Sequence, residues 1–224
     1  MNRSLKLALL AVLAVPLLAL AEEHAAAKAG PTADEVLADL KAGNERFVKG
    51  HPKKGHQDLR RVKELSAGQH PTAVILGCAD SRVAPEVIFD KGLGDLFVVR
   101  VAGNVSEPAT DGSIEYAAEH LHAPLVVVLG HHKCGAVKAS TEATGEAEGN
   151  LGSIVKEIQP AVAAARAHPG KEGLVDDAVH ENARLVAAQL ESESPVLKHL
   201  VQEGKVKIVT AVYDVDTGKI EWGK

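Results

Sequence analysis

Four short stretches, 73–77, 96–101, 125–130 and 206–213, are apolar at nearly every consecutive position and rich in Val and Ile. A strand with one wet face alternates apolar and polar residues. Unbroken apolar runs instead belong to strands covered on both faces, as in a parallel sheet. Between the runs, helical periodicity predicts helices near 111–122, 135–143, 152–168 and 175–192. Ser194-Pro195 supplies an N-cap followed by proline at the first helical position, opening a helix to about Glu203. Upstream, Thr32-Ala33-Asp34-Glu35 reads as a capping box. It starts a helix to about Val48 that buries Val36, Leu37, Leu40 and Phe47. The basic stretch 51–61 reads as a solvated loop and helix start. A turn at Asp214-Val215-Asp216-Thr217-Gly218 lets residues 219–222 return as an antiparallel edge strand. The expected fold is α/β: a mostly parallel central sheet of four strands plus an antiparallel edge strand, helices on both faces, and an N-terminal helical arm. No repeat or internal linker interrupts the pattern, so residues 32–224 form one expected domain.

The first 21 residues follow a different pattern. Arg3 and Lys6 precede an uncharged apolar run that ends in Ala19-Leu20-Ala21, ahead of Glu22-Glu23. The run is short for a membrane span and its end is a small-x-small cleavage site. Residues 1–21 are therefore read as a signal peptide cleaved after Ala21, with 22–31 as a disordered linker and a periplasmic or secreted location. The whole chain of 224 residues carries 25 basic and 30 acidic side chains. Removing the segment makes it more acidic. That balance argues against a nucleic-acid partner, and no second apolar run suggests a membrane partner for the mature form. Two cysteines exclude a disulfide-dense scaffold.

Both cysteines fall at strand ends. The first strand runs into Cys78-Ala79-Asp80-Ser81-Arg82-Val83 and the third into Gly130-His131-His132-Lys133-Cys134-Gly135-Ala136. Ligands of open α/β sheets bind beyond the carboxyl ends of the strands. His131 and Cys134, three residues apart, share a side if a helical turn begins there. With Cys78 they make a Cys2His set, which leaves a fourth tetrahedral position open, as in catalytic zinc sites. Spacing alone leaves a Cys78–Cys134 disulfide equally open. Asp80 and Arg82 shift the balance toward a metal, because a paired Arg keeps an Asp ionised and oriented beside a metal-bound water. His132 lacks the spacing to Cys134. It reads as a solvated loop residue, with a proton relay at the site's mouth as the alternative. The remaining histidines look scattered, with no second metal set among them.

Together with Arg100-Val101-Ala102-Gly103-Asn104, Gly92-Leu93-Gly94-Asp95-Leu96-Phe97 and Gly112-Ser113-Ile114-Glu115-Tyr116-Ala117, these motifs resemble the signature set of the β-class carbonic anhydrases. The resemblance extends from about Thr32 to Trp222, with Ala79 where the family usually has Ser. It implies zinc-dependent reversible hydration of CO2 to bicarbonate and a proton by zinc-bound hydroxide. One Zn2+ per chain is implied, held by Cys78, His131 and Cys134, with Asp80 and Arg82 as catalytic dyad. It also implies a substrate pocket with Gln69, Phe97, Tyr116 and the Gly135 backbone N–H; a small apolar substrate such as CO2 needs apolar walls, for which Phe97, Val83 and Ala102 are candidates. The resemblance further implies a homodimer or tetramer with that pocket at the interface, so that Gln69 and Tyr116 would serve the neighbouring subunit's site. Some members close the site by letting the Asp bind zinc, under a bicarbonate pocket that uses a Trp three residues before the first Cys. Ile75 stands there, so the resemblance is to the open, plant-like type in an exported bacterial form. The alternatives are a CS2 or COS hydrolase of the same family, or a non-catalytic exported zinc- or redox-binding module.

Overall fold

The capping box forms as the sequence requires. The Thr32 hydroxyl accepts from the Glu35 amide at 3.3 Å and the Glu35 carboxylate accepts from the Thr32 amide at 2.8 Å. This starts α1 (Ala33–Val48), which packs on the sheet through Val36 and Leu40. The computed structural model describes residues 30–145, 149–170 and 172–223. The expected signal peptide, 1–21, and all but the last two residues of the expected linker lie outside them.

Five strands form one sheet: β1 (Ala73–Gly77), β2 (Leu96–Arg100), β3 (Leu125–His131), β4 (Lys207–Tyr213) and β5 (Ile220–Trp222). Their spatial order is β2-β1-β3-β4-β5, parallel throughout except for the antiparallel β4–β5 pair. The helices are α2 (Leu59–Leu65), α3 (Pro85–Ile88), α4 (Pro108–Glu119), α5 (Gly135–Glu142), α6 (Leu151–Ala167), α7 (Leu174–Glu193) and α8 (Pro195–Gln202). The continuous apolar runs predict four strands covered on both faces; β1 and β3 are buried along their whole length, but β2, at the edge of the sheet, is mostly half-buried and β4 is buried only over its last three residues, so their runs overstate the cover. Val74, Leu76, Val126 and Val128 face one layer with Ile114, Val186, Leu190 and Leu197. Ala73, Ile75, Leu125, Val127 and Leu129 face the other, with Leu40, Ile88 and Phe89. Fully burying one such aliphatic side chain contributes about 1.5–3 kcal/mol, so these two layers carry the fold.

The four-residue α3 and the 3₁₀ turn Ala102–Asn104 carry too short a pattern to be read from sequence. Asp90, just after α3, is a structural anchor. Its carboxylate takes Arg46 Nε at 2.6 Å and the amides of Lys53 and Lys54 at 2.9 and 3.0 Å, fastening α1 and the basic loop to α3.

The order of the sheet decides where chemistry goes. The chain steps from β1 to β2 on one side, then returns to place β3 on the other side of β1. In such sheets ligands bind at this reversal, beyond the carboxyl ends of the strands, here β1 and β3.

Candidate active site

Strand register brings the two motif ends together. Gly77 pairs with Leu129, so Cys78 leaves β1 beside the last residues of β3. His131 is the final residue of β3, not the opening of a helical turn as the spacing suggests. Lys133 adopts a left-handed backbone (φ 57°) that turns the chain sharply, and Cys134 becomes the N-cap of α5. A tight strand-to-helix turn thus achieves what the i, i+3 argument assigns to a helix.

The two cysteines are free and buried, with their sulfurs 4.0 Å apart, about twice a disulfide bond. His131 is fully buried. Its Nδ1 lies 2.9 Å from the His132 carbonyl, which only accepts, so Nδ1 carries the proton and Nε2 keeps a lone pair. That Nε2 is shielded from solvent and has no hydrogen-bond partner. Its lone pair and the two sulfurs lie within 4.8 Å of one another. Tetrahedral zinc with Zn–S bonds near 2.3 Å would hold two sulfurs about 3.8 Å apart. The donor set, the sulfur spacing and the orphaned imidazole nitrogen all fit such an ion, and a carbonyl fixing the other ring nitrogen is the usual support of a metal-bound His.

The sulfurs sit in an apolar cluster with Val105, Val137, Ile158, Val162 and Val179. One negative charge is nevertheless well supported. The Cys78 thiol is pulled down, chiefly by its hydrogen bond with Cys134 and, against its burial, by the amides of Gly103 and Asp80. Those amides lie 3.3 and 3.4 Å from Cys78 Sγ. Cys134 is pushed up by the same sulfur–sulfur contact, by burial and by the charge on Cys78. A divalent ion held here would favour ionisation of both sulfurs.

Asp80 lies above this set. Arg82 Nε donates to Asp80 Oδ1 at 2.9 Å, its terminal nitrogen donates to Oδ2 at 2.7 Å, and the Arg82 amide adds a bond to Oδ1 at 2.9 Å. The Arg82 hydrogen bond holds the carboxyl well below the usual carboxylate range, overcoming its burial. Asp80 Oδ2 is 3.8 Å from His131 Nε2, so the carboxylate faces the donor set while remaining paired to Arg82.

The chain carries further supports that the motif reading did not single out. Arg100 Nε bonds the Cys78 carbonyl at 2.9 Å and its terminal nitrogen bonds the Asp80 carbonyl at 2.6 Å, stapling the loop between them. Gly103, at φ 73°, brings its amide to Cys78, and a Cβ there would stand 2.6 Å from Ile158 Cδ1. Buried Asn182 of α7 bonds the Gly103 carbonyl at 2.8 Å. Arg100 and Gly103 were visible as parts of one motif. Asn182 offers no local signal.

The residues expected to line a substrate pocket lie farther from the donor set. Phe97 and Tyr116 meet each other, ring centroids 6.3 Å apart, near edge strand β2. Tyr116 is 48% exposed. Gln69 is exposed in the loop before β1, and Gly135 is exposed at the start of α5. Val83 is fully buried beneath the sheet with Ile75 and Leu40, which makes it core rather than a pocket wall.

The carbonic anhydrase family model matches residues 73–220. Carbonic anhydrase 2 of Mycobacterium tuberculosis is 44% identical over 185 residues, covering 80% of this chain and 87% of that one. The chain belongs to the carbonic anhydrase family. Its fold matches the solved β-carbonic anhydrase CcaA with a TM-score of 0.67 and 26% identity, covering 84% of this chain and 95% of that one. The tetrameric β-carbonic anhydrases of Sordaria macrospora share the fold, with a TM-score of 0.67, 23% identity and coverage of 84% and 96%. The chain is therefore a β-class carbonic anhydrase, an enzyme interconverting CO2 and bicarbonate.

The histidine reading needs one correction. His132 is not a solvated loop residue: its side chain is 17% exposed and its ring lies edge-on to that of His180, centroids 5.6 Å apart. Nor are the histidines scattered. His132, Glu172 and His180 form a second group of clustered donor atoms among the described residues.

Proposed function

We propose that this carbonic anhydrase works through one zinc ion held by Cys78, His131 and Cys134, with Asp80 and Arg82 as its catalytic pair. When bound, zinc supplies a Lewis acid that makes water acidic enough to serve as nucleophile near neutral pH. The rest is done by the chain's own groups. Asp80 stays ionised because Arg82 holds it so, and it acts as an acceptor that aims the attacking water rather than as the final proton store. Arg82 also donates to the Lys133 carbonyl at 3.2 Å, which ties the pair to the turn carrying His131 and Cys134. The Gly135 amide, in the first turn of α5 where no side chain caps the helix, would donate to a product oxygen. The supporting observation is a partnerless imidazole nitrogen facing two free thiols beneath a carboxylate already engaged by arginine.

Gln69, Phe97 and Tyr116 are proposed to complete the substrate pocket, across the interface of a homodimer or a tetramer. Half-exposed Tyr116 and the open sheet edge at β2 support that reading. Export by a signal peptide cleaved after Ala21 is part of the same proposal. Among the described residues, no helix is long and apolar enough to cross a membrane.

Stopped-flow CO2 hydration, with zinc counted on the same sample, tests the assignment. Asp80→Asn should keep its zinc and lose about 100-fold or more in kcat/KM. Full activity in that variant would refute the role given to Asp80.

A further inference from the structure

The turn that carries His131 and Cys134 also carries His132, and its ring points away from the site just described, toward α7. His132 Nε2 lies 3.4 Å from Glu172 Oε2, and His180 Nε2 lies 3.1 Å from the same oxygen. All three donor atoms fall within 4.8 Å of one another. His180 reaches Glu172 in a hydrogen bond, but His132 Nε2 is shielded from solvent and has none. A buried ring nitrogen without a partner costs about 1–3 kcal/mol in an otherwise well-satisfied structure.

The cluster is held from behind. Asp177, in the first turn of α7, accepts from the Gly170 amide at 2.9 Å and the Glu172 amide at 3.4 Å, which fixes the segment presenting Glu172. Its neighbour Asp176 accepts from the Lys133 amide at 2.8 Å, fastening the His132 turn to the same helix end. The donors therefore belong to two anchored segments rather than to loose surface chains.

We infer that His132, Glu172 and His180 form a second divalent-metal site, distinct from the Cys78–His131–Cys134 centre. Metal–nitrogen and metal–oxygen bonds of about 2.0–2.2 Å place tetrahedral donors about 3.3–3.6 Å apart, close to the separations of Glu172 from each imidazole. Two imidazoles and one carboxylate suit zinc and its first-row neighbours, and suit calcium or magnesium poorly. Glu172 and His180 are 40% and 37% exposed in their side chains, so the ion would exchange with solvent and keep water in its remaining positions. It would satisfy the His132 nitrogen and pin the turn bearing two of the three donors of the first centre.

The test is a metal count on the full mature chain already holding one equivalent of zinc. Equilibrium dialysis against ZnCl2 should load a second equivalent, accompanied by a rise in the unfolding midpoint that saturates with it. His180→Ala and Glu172→Gln should each weaken the second equivalent at least tenfold and leave the first in place. Cys134→Ser should do the reverse. Cobalt separates the two centres optically: only the first gives an intense near-ultraviolet sulfur-to-metal band, so the second equivalent should add weak visible bands alone. His180→Gln, checked by circular dichroism, covers the case in which the alanine variant does not fold. Binding that stops at one equivalent with ZnCl2 at 100-fold excess over protein overturns the inference. So does a second equivalent held equally well by the His180 and Glu172 variants. Loss of the first equivalent's sulfur band would instead count against the proposed catalytic centre.

Discussion

Gly103 is the backbone position on which the Cys78 environment most depends, and replacing it by alanine gives a sharp forecast. Its φ of 73° lies in the left-handed region, where a Cβ costs about 1–2 kcal/mol. That Cβ would stand 2.6 Å from Ile158 Cδ1 and 3.3 Å from Ala136 Cβ. Ile158 is fully buried, so little room exists for it to yield, and such overpacking costs about 1–3 kcal/mol. Gly103→Ala should therefore lose about 2–5 kcal/mol of unfolding free energy in equilibrium denaturation of the zinc-loaded protein. The same shift would draw the Gly103 amide from its 3.3 Å contact with Cys78 Sγ, so zinc affinity in a chelator competition should fall about tenfold. Gly135→Ala is the control. A Cβ there meets nothing within 4 Å, and its cost should stay within about 0.5 kcal/mol. A Gly103→Ala loss below about 0.5 kcal/mol, with zinc affinity unchanged, would refute the reasoning.

Two further outcomes follow from buried polar groups. Asn182→Ala removes the donor to the Gly103 carbonyl and should cost about 1–3 kcal/mol, read from thermal or denaturant unfolding. Burial alone would raise the Asp90 carboxyl, but the amides of Lys53 and Lys54 and the Arg46 guanidinium outweigh it and lower it. A carboxyl with a folded pKa below its unfolded one stabilises the fold above about pH 4, and that contribution is lost as pH falls through the folded pKa. The stability gap between wild type and Asp90→Asn should thus be constant from pH 5 to 7 and shrink below about pH 4. A gap that widens in acid would contradict this sign.

What the sequence made legible was local or spaced within one motif. The buried strands announced themselves because parallel strands covered on both faces need apolar residues at successive positions. The Thr32–Glu35 cap is written in four adjacent residues. Cys78 and His131 could be placed at strand ends because the runs before them end there. What stayed hidden depends on register and on the packing of distant helices. The His131–Cys134 pair reads as helical until the left-handed Lys133 is seen, since positive φ at a lysine leaves no trace in composition. His132, Glu172 and His180 join only because α7 packs across the end of β3, and nothing in their spacing reports that contact. Asn182 reads as a polar residue on a helix until its carbonyl partner 79 residues away is known.

X-ray absorption at the zinc edge, on wild-type protein carrying a single equivalent, reads the ligands of the ion themselves. Two sulfur neighbours at about 2.3 Å are expected, with one imidazole nitrogen and one light atom at about 2.0–2.1 Å. A shell of nitrogen and oxygen alone, with Cys78 and Cys134 recovered as a disulfide, would contradict that expectation.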